Sequence, residues 1–127
     1  MGKIGVFNYV TVDGFFAGSY GETDWFYSIP KDKAFEEYTH SKAGTESTLL
    51  FGRTTYEMMK SYWPTPDAQK NDPVMANSLI NSPKVVFSKT LNTEGERGPN
   101  WKNITIIPHI KLDEILRLKE DAGQIMI

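Results

Sequence analysis

The stretch Leu49-Leu50-Phe51-Gly52-Arg53-Thr54-Thr55-Tyr56-Glu57 is an apolar run that ends on a glycine and passes, through an arginine and two threonines, into a helical pattern. It reads as a strand running into a helix N-terminus. Such a terminus leaves backbone N–H groups unpaired and carries partial positive charge, so an anion placed there is stabilised by both effects. Thr54 suits the N-cap position, with Glu57 three residues later completing a capping box. Gly52 lets a ligand approach the backbone, the hydroxyls of Thr54 and Thr55 can donate to phosphate oxygens, and Arg53 offers a planar fork for a dianion. The sum is a candidate phosphate seat. The plainer alternative is a capped surface helix with a solvated arginine.

Outward from this join, strand and helix patterns alternate. Lys3 to Val12 is β-branched and aromatic, with Ile4, Val6 and Val10 on one face and Phe7 and Tyr9 on the other, which predicts a central strand buried on both sides. Asp13-Gly14 breaks it, and the following loop carries Phe15, Phe16, Trp25, Phe26 and Tyr27, so it is expected to cover something apolar. Trp25 reads equally as core or as ligand contact. Pro30 opens a helix with Ala34, Phe35 and Tyr38 on one stripe, ended by Gly44. After strand Ser47 to Phe51, the helix of the central motif runs to Trp63-Pro64-Thr65-Pro66, and Asp72-Pro73 starts another as N-cap and N1. Lys84 to Phe87 is a strand leading into Ser88-Lys89-Thr90, and Asn92 to Asn100, with Gly95 and Gly98, is a long irregular loop. Asn103 to Ile107 is a strand, Leu112 to Glu120 a helix with Leu112, Ile115, Leu116 and Lys119 in register and Gly123 as C-cap, and the final residues begin one more strand.

This alternation predicts an α/β fold: three layers, with a mostly parallel central sheet and helices on both faces. Ligands in such sheets bind at the carboxyl ends of the strands. Asp13-Gly14, Gly52-Arg53-Thr54-Thr55 and Ser88-Lys89-Thr90 each follow a strand end, so they are expected to converge on one edge, unless they are ordinary turn residues.

The 127 residues, 39% hydrophobic and 24% charged, suit one domain spanning the whole chain, 1–127, with a real core. A net charge of -2 and a pI near 5.7 give no reason to expect nucleic acid or an anionic membrane as partner. The absence of cysteine excludes disulfides, thiolate metal sites and cysteine nucleophiles. No signal-peptide pattern or membrane-length apolar run occurs, so a cytoplasmic location is expected. His40 and His109 are far apart in sequence and lack ligand-type neighbours, so no metal site is expected and both read as surface or structural.

Gly52-Arg53-Thr54-Thr55-Tyr56-Glu57 resembles the Gly-Arg-x-Thr-aromatic-Glu signature of dihydrofolate reductase, and the order of elements with Phe87-Ser88-Lys89 is similar to the same fold. Val12-Asp13-Gly14-Phe15-Phe16-Ala17 and Asp24-Trp25 look more like the branch that includes the reductase domain of the bifunctional riboflavin-biosynthesis deaminase/reductase. The resemblance covers the chain from end to end. It implies an NADPH-dependent reductase acting by hydride transfer on a small molecule: a pterin, an aminopyrimidine or a related carbonyl or imine compound. By position it implies that Arg53, Thr54 and Thr55 hold the cofactor's phosphates beside Gly52, that Ser88 and Lys89 face the 2'-phosphate, and that Asp13 and Gly14 lie near the nicotinamide. Trp25 would shape the substrate side. Asp13 and Asp24 are the candidate catalytic groups, as proton donors or substrate-amine anchors, and each is also a good turn residue.

Two departures bear on these expectations. Thr11 stands where the family usually has Ser or Met, a minor change. Family members also continue past Ile127 into a glycine-rich loop that receives the pyrophosphate, whereas this sequence stops on Ile125-Met126-Ile127. The domain is therefore expected to be C-terminally incomplete, either a truncated reductase or a non-catalytic homologue that binds a ligand or dimerises. An unfinished sheet would expose an edge, which favours a homodimer.

Overall fold

Parallel strands need crossovers long enough to hold a helix, and the chain supplies one or more helices between most of its strands. The structure is a computed structural model describing residues 2–30, 32–43, 47–92, 101–121 and 124–126, with residues 26, 27, 43, 121 and 124–126 described as backbone. The strands are β1 (Lys3–Gly5), β2 (Thr48–Gly52), β3 (Lys84–Phe87), β4 (Ile104–Ile107) and β5 (Gln124–Met126). The helices are α1 (Lys33–Ala43), α2 (Arg53–Tyr62), α3 (Pro66–Asn71), α4 (Pro73–Asn81) and α5 (Leu112–Asp121), with a 3₁₀ turn at Asp24–Ser28. The strands form one parallel sheet in the order β1-β5-β2-β3-β4.

Alternate residues of these strands feed two cores, as the period of two requires. On one face Val86 and Ile104, flanked by Phe51 and Ile106, pack with Tyr56 of α2, Ile80 of α4 and Trp101. On the other, Leu50 and Val85, with Phe87 and Ile107, meet Leu118 of α5. Helices thus cover both faces, and the three-layer α/β architecture is the one expected from the alternation.

Several local expectations are corrected. The first strand is three residues long and lies at the sheet edge, paired only with β5, where a central strand of ten residues was expected. Ile4, Val6, Phe7 and Val10 are all exposed. Two-sided apolar patterning records what a segment is suited to bury; the pairing of β1 with β5 covers Lys3 to Gly5. The last strand, conversely, is not an edge: β5 inserts between β1 and β2.

Helix α2 begins at Arg53, its N-cap is Gly52, and no side chain caps it, so the Thr54–Glu57 capping box does not form. The strand runs straight into the helix without the spare residue a Thr54 cap needs. The helix expected from Pro30 starts at Lys33, because Asp32 Oδ1 accepts the Phe35 N–H at 2.7 Å. Helix α3 was not foreseen; it is one short turn and a half, with Thr65 capping it and Pro66 at its start. The Asp72-Pro73 start holds, with Asp72 Oδ1 accepting from Met75 N at 3.1 Å. In α5 Leu112 and Leu116 are exposed and Ile115 and Leu118 turn inward, a face shifted from the expected stripe. Gly44, Gly95, Gly98, Gly123 and Ile127 lie outside the described residues.

Candidate functional site

Because β2, β3 and β4 are parallel and in register, with Gly52 opposite Phe87 and Phe87 opposite Ile107, their carboxyl ends lie side by side. The segments that leave these ends are Arg53-Thr54-Thr55, Ser88-Lys89-Thr90 and Pro108-His109-Ile110. The Ser88 N–H donates to Ile107 O at 3.1 Å, carrying the β3–β4 pairing one residue past the strands. Arg53 Nη1 donates to Thr90 Oγ1, which ties the head of α2 to the segment after β3. The second and third of the three polar clusters therefore meet.

Within this group the donors differ in how committed they are. Arg53 Nε also donates to Glu57 Oε1 at 2.9 Å, in a pair about half exposed on both sides. Exposed pairs of this kind contribute about 0 to 1 kcal/mol, so a phosphate dianion can displace the carboxylate. Ser88 Oγ accepts the N–H groups of Thr90 at 3.4 Å and Leu91 at 3.2 Å, which shapes the turn and leaves the hydroxyl proton to donate. Lys89 is exposed and makes no ion pair with a described residue. Gly52 has φ -78° and ψ 168°, a conformation open to any residue, so its contribution is room: a Cβ there would meet nothing within 4 Å. The first N–H groups of α2 are uncapped by any side chain. Thr54 and Thr55 occupy the first turn of this helix and are exposed.

Beside this group lies an open cleft of about 420 Å³ lined by Phe87, Ser88, Lys89, Pro108, His109 and Ile110. His109, read from the sequence as surface or structural, is exposed and lines this cleft, following the end of β4 as Lys89 follows the end of β3. His40 is structural, its Nε2 lying 3.0 and 3.1 Å from the two carboxylate oxygens of Asp72 and joining α1 to the start of α4. Among the described residues no three His, Asp or Glu side chains gather as metal ligands.

The first polar cluster is held locally. Thr11 Oγ1 donates to Asp13 Oδ1 at 2.5 Å, the Gly14 N–H donates to Thr11 O at 2.9 Å, and Gly14 has φ 91°, the left-handed value that favours glycine. Asp13 and Gly14 thus make a turn, and no described contact links them to Arg53 or Lys89. Asp24 is exposed at the start of the 3₁₀ turn, and Trp25 Nε1 donates to Phe16 O at 3.1 Å, stapling that turn to the aromatic loop. The loop reaches α2 through Thr23 Oγ1, 3.5 Å from Met58 Sδ. Its aromatics Phe15 and Phe16 are exposed rather than covering a core. Among the described residues no helix is long and apolar enough to cross a membrane.

Comparison with known proteins agrees with this architecture. No family model matches the chain. It is 29% identical over 115 residues to the uncharacterized protein YyaP of Bacillus subtilis (strain 168), a match covering 91% of this chain and 55% of the relative. A crystal structure of a Shewanella sp. PV-4 protein, provisionally named as a riboflavin biosynthesis protein, superposes with a TM-score of 0.65 at 22% identity, over 100% of this chain and 64% of its own. The chain spans about half the length of the curated relative and under two thirds of the solved one. At this identity the superposition speaks to fold alone, and it agrees with a parallel sheet covered by helices on both faces. The chain shares the α/β fold of that solved structure.

Proposed function

We propose that this chain is the nucleotide-phosphate-binding part of an NADPH-dependent reductase of a small molecule. The observation that carries the reading is the Arg53–Thr90 bond, which gathers Arg53, the uncapped start of α2, Ser88 and Lys89 at the carboxyl ends of two adjacent parallel strands. The donor set fits a phosphorylated dinucleotide. Thr54 and Thr55 bind the phosphate oxygens that both nucleotides share, with the α2 N–H groups, Gly52 gives them access, and Arg53 joins Ser88 and Lys89 on the 2'-phosphate. When bound, NADPH supplies the hydride; the chain's own residues bind and orient it. Asp13 and Asp24 are the proposed proton donors or amine anchors, Gly14 lies towards the nicotinamide and Trp25 shapes the substrate side. Pterins, aminopyrimidines and related carbonyl or imine compounds are the proposed substrate class. The exposed apolar run of Val6, Val10, Val12, Phe15 and Phe16 favours a homodimer, and a cytoplasmic setting completes the reading.

Fluorescence titration with NADPH and NADH tests it. Charge-assisted bonds of about 1.5 to 3 kcal/mol each predict at least roughly tenfold preference for NADPH per contact. Arg53→Ala should weaken NADPH far more than NADH, while Thr55→Ala should weaken both. Equal losses for the two nucleotides in Arg53→Ala would make the arginine a surface charge and overturn the reading.

A second reading is a ligand-binding or dimerising module without turnover. It is favoured by the local bonding of Asp13, which serves a turn, and by the chain's covering 55% of its Bacillus subtilis relative. NADPH binding without oxidation in the presence of pterin or aminopyrimidine substrates would select it.

A further inference from the structure

Two cations of the chain differ in how completely the protein satisfies them. Lys84, which opens β3 and is 1% exposed, gives its three ammonium protons to Ile80 O at 2.9 Å, Ser82 O at 2.9 Å and Lys102 O at 3.0 Å. The Trp101 ring covers it, its centroid 4.3 Å from Nζ, and burial lowers it from its ordinary 10.5 to about 8. No proton of Lys84 is left for a ligand. Arg53 is about half exposed and only partly engaged. The proton on Nε goes to Glu57 Oε1 at 2.9 Å, one on Nη1 goes to Thr90 Oγ1, and Nη2 has no partner among the described residues.

The arginine also stands where a helix favours a cation least. Arg53 is the first residue of α2, at the end that carries partial positive charge, and no side chain caps the N–H groups beside it. The first turn of α2 holds no acidic residue to offset that field. Glu57 comes a turn later, and a cation placed N-terminal to its anion is the weaker orientation for a pair four residues apart. The contact is also single. Glu57 meets Nε alone, whereas the Nε–Nη2 edge of a guanidinium presents two parallel donors. One oxygen of a half-exposed carboxylate thus holds an edge shaped for two.

Taking the phosphate site proposed above as given, we propose that Glu57 is a placeholder for the phosphate: its carboxylate neutralises Arg53 while the site is empty and yields the Nε–Nη2 edge when a phosphate monoester dianion binds. The exchange favours the incoming group. A dianion makes two charge-assisted bonds where the carboxylate makes one, and it brings two negative charges to a cation at the positive end of α2. The Nη1 bond to Thr90 does not have to break, so the guanidinium stays tethered to the segment that carries Ser88 and Lys89. Glu57 therefore stabilises the empty chain and weakens ligand binding. A residue that merely supports the site would lower both when removed; a placeholder moves them in opposite directions.

Glu57→Gln keeps the length of the side chain and removes its charge. The probe is adenosine 2'-phosphate at about pH 7.5, where a phosphate monoester is close to a dianion, titrated against the Arg53 Nε–H resonance by NMR. From the worth of exposed ion pairs, Glu57→Gln should bind it about two- to fivefold more tightly than the wild type. Its ligand-free Tm should fall by about 1 to 5 °C. Adenosine, which lacks the phosphate, should gain nothing. Glu37→Gln, which removes an exposed carboxylate from α1 and changes the net charge equally, should leave the affinity as it is. Unchanged or weaker binding in Glu57→Gln, or an equal gain with adenosine or in Glu37→Gln, overturns the placeholder and leaves the phosphate site standing. An Arg53 resonance that does not respond to adenosine 2'-phosphate in the wild type or either variant overturns the site and the placeholder together.

Discussion

Replacing Tyr56 by Phe removes one oxygen atom from the core and nothing else. The ring keeps its place among Val86, Ile80 and Ile104, so no cavity opens and the transfer term of a large-to-small change does not apply. Among the described contacts, what is lost is the acceptor for Trp101 Nε1, 3.1 Å away, in a residue 3% exposed. Water cannot reach the freed N–H without disturbing the packing, so the penalty is that of an unsatisfied buried donor, about 1 to 3 kcal/mol. For a domain of 127 residues this corresponds to a fall in Tm of roughly 3 to 12 °C. Urea unfolding should show a lower midpoint with an unchanged slope, since the surface exposed on unfolding is the same. A destabilisation under about 0.5 kcal/mol would mean that the indole finds another acceptor and that Tyr56 contributes only its ring. A changed slope would mean that the substitution alters the unfolded ensemble or the two-state character.

Three further outcomes follow from the same geometry. The stability difference between the wild-type chain and Lys84→Met should move in favour of the wild type as pH rises from about 8 to 10.5, by at most about 3 kcal/mol; a difference that is constant with pH in denaturant titrations would remove Lys84 from the buried set. Asp72→Ala should cost about 1 kcal/mol more than His40→Ala, because it removes the α4 cap as well as the half-buried His40 contact; equal losses in thermal unfolding would assign the whole effect to the His40–Asp72 pair. Sedimentation at tens of micromolar should show a homodimer burying more than about 1,000 Å² in total, and monomer alone would count against it.

The features legible in the sequence are those written by local chemistry. The join of β2 to α2, the Asp72-Pro73 helix start, the strand at Lys84 to Phe87 and the alternation that makes an α/β sheet all rest on period, turn residues and caps, which act over a few positions. The convergence of Arg53 with the Ser88-Lys89-Thr90 segment was legible too, because parallel strands bring their carboxyl ends together whatever their order.

Tertiary structure alone decided what depends on partners distant in the chain. Residues 3–12 have the composition of an interior strand, yet they stand at an edge because strand order is set by which segments pair, and β5 took the interior place. Lys84 looks like the polar start of an apolar strand; that it is buried follows only once the end of α4, Lys102 and Trp101 close around it. His109 reads as a solitary histidine until the β3–β4 register sets it in one cleft with Lys89. Thr54 failed as a cap for a related reason: propensity names residues that can cap, but the strand leading in fixes where the first helical turn begins, and that turn begins at Arg53.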